Sequence, residues 1–433
     1  MTATAETPQA TAHSFSNLWH DMFAALSNPN YRRYITGQAI SLAGTWMQTV
    51  AQSWLVLELT GSPTAVGTIV ATQMLPMLLV GPYAGVVADR VDKRRLMMVL
   101  QSMMGVLALV LGLLVVTGLV QLWHVYVLAL LLGLNTCFEN PTRQSFVLEM
   151  VGPGHLRNAV SLNSVLANAA RAVGPGIAGL VIAAGGIGIC FLINAATFIA
   201  VVVSLARLDT SKLSPSVPTP RAPGQLREGL RYAAGEPLIL VPLAMMALVG
   251  VFAYEFQVVL PVVAQQTFGG DASAYGFLTA AMGAGAVVGG LMVAARGRTG
   301  LRVLMFAALA FGAAMTLVAL APNLTVALAG MALVGAASVA FLSMGNSTLQ
   351  LTAAPTMRGR VMALMGVAFL GSTPIGGPLV GAISQAWGGR VGLGVGAASC
   401  VLAALMAAIA IRRTRARAAE TADTTEAAGA TAA

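Results

Sequence analysis

Charge is what this chain has least of. Only 9% of its 433 residues are Asp, Glu, Lys or Arg, where soluble domains carry about a quarter, so a water-soluble fold of this length is excluded. Lysine is almost missing. Lys93 and Lys212 stand alone and neither follows glycine, which removes the phosphate-binding loop and with it a nucleotide partner. The three cysteines (Cys137, Cys190, Cys400) are scattered through apolar stretches, and the four histidines (His13, His20, His124, His155) lie in tails or at stretch ends. Neither set has metal-ligand spacing, so no metal and no cofactor is expected. The net charge of +9 has no aromatic residues interleaved with its basic runs, which argues against a nucleic-acid partner. The first residues have neither a basic patch nor an apolar core, so no cleavable signal is expected. Strict polar–apolar alternation is also lacking, which excludes an outer-membrane barrel.

Apolar residues, by contrast, make up 57% of the chain and come in long blocks. Blocks of about 20 residues, separated by short polar punctuation, are the pattern of an all-α membrane protein with many crossings. Twelve transmembrane helices are predicted, at 34–57, 63–88, 96–117, 123–147, 160–184, 187–207, 238–264, 274–295, 301–320, 324–350, 361–386 and 391–411. They divide the chain into a cytoplasmic N-terminal segment (1–30), a six-helix bundle (31–207), a proline-rich cytoplasmic linker (208–237) with a short surface helix over 225–234, a second six-helix bundle (238–411), and a disordered cytoplasmic tail (412–433).

Orientation follows from the stretch Gly81–Arg95, where an apolar run ends and Asp89, Arg90, Asp92, Lys93, Arg94 and Arg95 follow within seven residues. That density of charge must lie outside the hydrocarbon, and its excess of basic residues assigns it to the cytoplasm. Counting from there, all but two of the 24 basic residues fall on the inner side, Arg171 and Arg390 being the exceptions. Both termini are therefore expected inside. The stretch beginning at Gly61 is paralleled around Gly270, and that from His155 by that from Thr356, so the halves read as a parallel repeat joined by the linker. This architecture suits rocking about a central cavity, hence transport and not catalysis. No enzyme is expected.

A few polar residues interrupt the apolar spans. In the first, Gln38, Ser41, Thr45, Gln48 and Gln52 recur at three- and four-residue spacing and form one stripe, which faces either a cavity or another helix. Trp54 lies off the stripe and reads as an anchor at the membrane interface. Asn163, Asn168, Tyr254 and Asn346 are further candidates for substrate binding. Arg171 in mid-span needs water or an acid, and Glu139 and Glu255 are its candidate partners. Glu139 has Arg143 one helical turn away, so it can pair on its own helix. Glu255 has no basic neighbour in sequence, which suits a carboxylate that binds and releases a proton or holds a cationic substrate. Glu255, Glu139 and Arg171 are thus the proton-coupling candidates, with purely structural pairing as the alternative. The glycine-rich run Gly283–Gly290 lies within a span and reads as helix packing.

Two of these stretches carry a resemblance. Gly85-Val-Val-Ala88-Asp89-Arg90-Val-Asp92-Lys93-Arg94 resembles the loop signature of the major facilitator superfamily, with Asp92 where a second glycine is usual. Ala170-Arg171-Ala-Val-Gly174-Pro175-Gly-Ile-Ala178-Gly179 resembles the small-residue element of its antiporters, with Ala at two of the small positions. The Asn140–Gln144 run and the stretch before the fifth span most resemble the drug–proton antiporter branch that holds macrolide efflux proteins and the enterobactin exporter. The resemblance implies a proton-coupled exporter of amphipathic drugs, antibiotics or siderophores, a monomer in the bacterial inner membrane working by alternating access. It implies a conformational latch at Gly85, Asp89, Arg90 and Arg94, with Asp89 facing span eleven and Arg90 or Arg94 reaching Glu149 or Glu139 near Arg143. It also implies that Gly174, Pro175 and Gly179 are packing residues. The alternatives are a facilitator or importer of one anionic metabolite, or a transporter-fold sensor without flux.

Overall fold

The computed structural model describes residues 24–214, 225–296 and 299–431. The chain is all-helical over these residues. In order it forms α1 (Pro29–Thr60), α2 (Pro63–Arg90), α3 (Lys93–Val116), α4 (Leu122–Gly185) and α5 (Ile187–Ala206). After the linker come α6 (Gln225–Gly235), α7 (Pro237–Ala253), α8 (Phe256–Val262), α9 (Ala272–Arg296), α10 (Leu301–Ala319), α11 (Leu324–Thr352), α12 (Arg358–Leu370), α13 (Thr373–Trp387) and α14 (Gly389–Thr431).

Among the described residues, ten helical segments are long and apolar enough to cross a membrane. Helix α1 is not one of them, because its amide and hydroxyl stripe lowers its hydropathy. Helix α4 is 64 residues long and is broken at Gly152, whose φ of 71° and ψ of 172° are not helical. Backbone helix continues to Thr431 through the tail expected to be disordered; that segment is rich in alanine, the strongest helix former.

Helix starts are set by local chemistry. Asn28 accepts from the amides of Asn30 and Tyr31, with Pro29 in the first turn. Ser62 accepts from Ala65 ahead of Pro63. Asp92, which departs from the superfamily's usual glycine, caps α3 by accepting from the Arg95 amide at 2.8 Å.

The two halves repeat in backbone geometry. Gly186 before α5 has φ 86° and ψ 168°, and Gly388 before α14 has φ 86° and ψ 163°. Left-handed φ of this kind is open to glycine at little cost, so both halves turn between their last two spans in the same way.

The halves meet through small residues. A Cβ on Gly377 of α13 would stand 2.7 Å from the Gly67 carbonyl of α2, and one on Gly381 would stand 2.7 Å from the Pro63 carbonyl. Gly179 of α4 lies against Ser273 of α9, and Gly276 of α9 against the Pro175 carbonyl. Without side chains between them, helices in a membrane approach backbone to backbone. Ser62 donates to Gln385 across the same end at 2.7 Å. At the opposite end, which carries Arg90 and Arg358, there is open space beside α12: a Cβ on Gly359 or Gly366 would meet nothing within 4 Å among the described residues.

Candidate functional site

The stripe on α1 lines a polar cavity of about 240 Å³ in the first half. Gln38, Ser41, Thr45, Gln48 and Gln52 all border it, with Gln73 of α2, Gln101 of α3, Glu139, Asn140 and Arg143 of α4, and Asn194 of α5. Most of these groups hold one another. Gln52 donates to Gln73 at 3.1 Å, Asn194 to Gln48 at 2.6 Å, and Gln101 to Glu139 at 3.4 Å. Arg143 pairs with Glu139 at 2.9 Å and reaches the Asn140 amide oxygen at 2.8 Å. The Oε1 atoms of Gln38 and Gln101 accept no hydrogen bond from the described residues. Buried acceptors of this kind are costly unless something else donates to them.

A second cavity of about 160 Å³ lies between the halves and carries four aromatic side chains among aliphatic and polar ones. Trp46, Arg171, Tyr254, Phe256, Tyr275 and Ser338 line it, and Thr49 and Gln257 border both cavities, so the two compartments adjoin. Tyr254 donates to the Ser338 carbonyl at 2.6 Å and packs edge-on against Phe369, ring centres 4.7 Å apart. The Arg171 guanidinium lies over the Trp46 ring, 4.9 Å from its centre. Gly174, one turn further along α4, makes room for Trp46: a Cβ there would stand 2.6 Å from the tryptophan Cβ. Among the described residues no carboxylate comes within 4.0 Å of Arg171. A cation–π contact returns about 0.5–2 kcal/mol, less than the ~2.5–3.5 kcal/mol that a mid-membrane arginine costs at minimum. The pocket's own chemistry therefore leaves this cation under-compensated.

Glu255 occupies the break between α7 and α8 and is 4% exposed. Thr373 of α13 lies beside its carboxylate, while Oε1 has no hydrogen-bond partner among the described residues. Gly376 of α13 leaves the space that Oε1 occupies; a Cβ there would stand 2.8 Å away. Glu255 lines neither cavity, although its neighbours Tyr254 and Phe256 do. It sits behind the aromatic wall, against the second half's own helix.

A two-part chamber between two pseudo-equivalent helical halves is a transporter's geometry, and the comparisons with known proteins decide the family. The profile described as transmembrane secretion effector, a major facilitator family, matches residues 20–430. The chain belongs to that family. It is 30% identical to the multidrug efflux pump Tap of Mycolicibacterium fortuitum over 80% of this chain and 87% of that one. It is 22% identical to macrolide efflux protein A of Streptococcus pyogenes over 78% and 85%. The match to the uncharacterized MFS-type transporter YfiS of Bacillus subtilis, 30% identical, spans 48% of this chain and half of that protein's length. In fold, the chain is similar to the crystal structure of the nucleoside transporter NupG, with a TM-score of 0.72 at 10% identity over 88% of this chain and 99% of that one.

In this major facilitator transporter several expected contacts fall elsewhere. Arg171 pairs with neither Glu139 nor Glu255, since Glu139 is held by Arg143 and Glu255 by α13; an aromatic face takes the arginine instead. Trp54 is not at a membrane interface. It is buried and stacks on Tyr275 across the two halves, ring centres 6.4 Å apart. Neither Arg90 nor Arg94 reaches Glu149 or Glu139. Lys93 takes Glu149 at 2.6 Å, and Arg94 donates to the carbonyls of Leu205 and Ala206 at the end of α5. Arg90 is exposed where α2 ends. The Asp89 side chain lies outside the described residues. Arg143 faces the polar cavity and not the loop.

Asn163, Asn168 and Asn346 border neither cavity; Asn168 donates to the Ser164 carbonyl and Asn346 accepts from Gln350. Sequence reasoning passed over Gln73, Gln101, Asn194, Trp46 and Gln257 as site residues. Gln73, Gln101 and Asn194 are lone amides in apolar spans and could have been singled out by rarity alone. Gln257 could not, since only the break at Glu255 turns it inward.

Proposed function

We propose that this transporter exports amphipathic small molecules by alternating access, coupled to inward proton flow. The observation that carries the reading is the chamber: amides and one ion pair on one side, aromatic rings on the other, between halves that touch at the Ser62 end, with open space beside α12 at the Arg358 end. Such a lining takes a molecule with one wet face and one greasy face. The reading counts twelve crossings, dividing α4 at Gly152 and including α1, with both termini in the cytoplasm, so that the Arg358 end faces inward. The efflux relatives support the outward direction.

Glu255 is the coupling carboxylate in this reading. It lies at a break in the seventh span, has one oxygen without a partner, and touches α13 where that helix packs on α2. Proton binding there would change the contact between the halves without competing for the chamber. Glu139 is already engaged by Arg143 and acts in binding. The test is a proteoliposome assay with an imposed pH gradient and a fluorescent amphiphile. Gradient-driven flux that is lost in Glu255→Gln, with binding retained, supports the assignment. Flux indifferent to collapse of the gradient would instead identify a facilitator, the reading that Arg171 favours for an anionic metabolite.

A further inference from the structure

The charges facing the two compartments do not sum to zero. Glu139 and Arg143 neutralise each other at 2.9 Å. Glu255 lies outside both linings. Arg171 is left as a cation whose described contact is the face of Trp46. The groups nearest it in the aromatic compartment are uncharged, and the Tyr254 hydroxyl is already donated to Ser338.

A fixed cation beside aromatic walls separates molecules of one shape by their charge, because a charge on the bound molecule meets the guanidinium at close range. The guanidinium fork matches the two oxygens of a carboxylate or sulfonate. The guanidinium already rests over the Trp46 ring at 4.9 Å, and Gly174 leaves the room that Trp46 fills, so less ordering is needed when an anion arrives.

We propose that Arg171 makes this chamber selective for amphipathic anions: molecules with an apolar body against Trp46, Phe256 and Tyr275 and a single carboxylate or sulfonate on the guanidinium. The proposal rests on the chamber being the transport site and adds the chemical class it accepts. It also assigns Arg171 to substrate recognition and not to proton coupling.

The test uses three probes of one shape, pyrenebutyrate, pyrenebutanol and pyrenebutyl-trimethylammonium, titrated onto the full-length protein in nanodiscs by tryptophan quenching, with empty nanodiscs subtracted. Wild type is expected to bind the anion at least about tenfold tighter than the cation. Arg171→Gln is expected to lower the anion-to-neutral affinity ratio by about tenfold, and Arg171→Lys, which keeps the charge but not the fork, to recover part of it. An anion-to-cation ratio at or below one in wild type overturns the proposal, and so does an unchanged ratio in Arg171→Gln. If that variant does not fold, the wild-type ratio and Arg171→Lys decide. Flux of the same probes from proteoliposomes separates the two readings. Anion preference without any export sinks the export reading alone, whereas export of all three probes without preference sinks this one alone.

Discussion

The ion pair between Lys93 and Glu149 offers a quantitative test of the first half. Both residues are 7% exposed, and Nζ stands 2.6 Å from Oε1. At an effective dielectric near 20, a pair at that distance attracts by about 6 kcal/mol. Desolvation of the two ions takes back most of that gain, so the net worth of the pair is small. Removing Glu149 is a different matter, because it leaves the buried Lys93 ammonium without the carboxylate that offsets it, at a cost of about 3–5 kcal/mol. Lys93 is also the first residue of α3, where the helix dipole disfavours a cation, so Glu149 offsets two penalties. Glu149→Gln is expected to lower the midpoint of thermal unfolding by roughly 3–6 °C, read by size-exclusion of heated detergent extracts. The double variant Lys93→Met/Glu149→Leu should recover most of the loss. A Glu149→Gln variant within a degree of wild type, or a double variant less stable than that single one, would refute the account.

Two further expectations follow from the second half and its contact with the first. Asp271 caps the start of α9, accepting from the Ser273 hydroxyl and from the amides of Ser273 and Ala274. The Ser273 hydroxyl bond is the largest influence holding its carboxyl below the usual carboxylate range. A depressed folded value means the contribution is present above the unfolded value of about 3.9 and is lost as pH falls through the folded one. Asp271→Ala should therefore cost about 1 kcal/mol at neutral pH, with the difference from wild type shrinking in thermal scans below about pH 4. At the inter-half contact, Gly377→Val would drive two methyl groups into the Gly67 carbonyl. It should abolish transport and reduce cross-linking of a Ser62→Cys/Gln385→Cys pair by a short bismaleimide, while the protein still elutes as a single species. Undiminished cross-linking in that background would show that the halves do not close through this glycine seam.

Much of the fold was legible before any coordinates. Runs of apolar residues of membrane length can only be helices or barrel strands, since backbone polar groups must be satisfied within the bilayer, and the lack of alternation removed the barrel. The repeat was legible in the paralleled stretches at Gly61 and Gly270 and at His155 and Thr356; that Gly186 and Gly388 adopt one backbone conformation in the two halves came only from the structure. The α1 stripe was legible because five polar residues at helical spacing must share a face. Legibility failed where contact depended on a partner helix. Lys93 was overlooked beside Arg90 and Arg94 because charge alone does not say which of three neighbouring cations points inward; the Asp92 cap starts the helix there and turns Lys93 toward α4.

The sequence alone thus determined what the bilayer demands: helical class, apolar spans, a polar face on α1 and the rarity of intramembrane charge. These depend on composition and on periods of a few residues. Only the tertiary structure decided which charges meet. Glu139 is closed by Arg143, Arg171 rests on Trp46 because Gly174 lets α1 come close, and Glu255 is turned behind the aromatic wall by the break before α8. Pairing is a property of approach distance, set by small residues far apart in the chain.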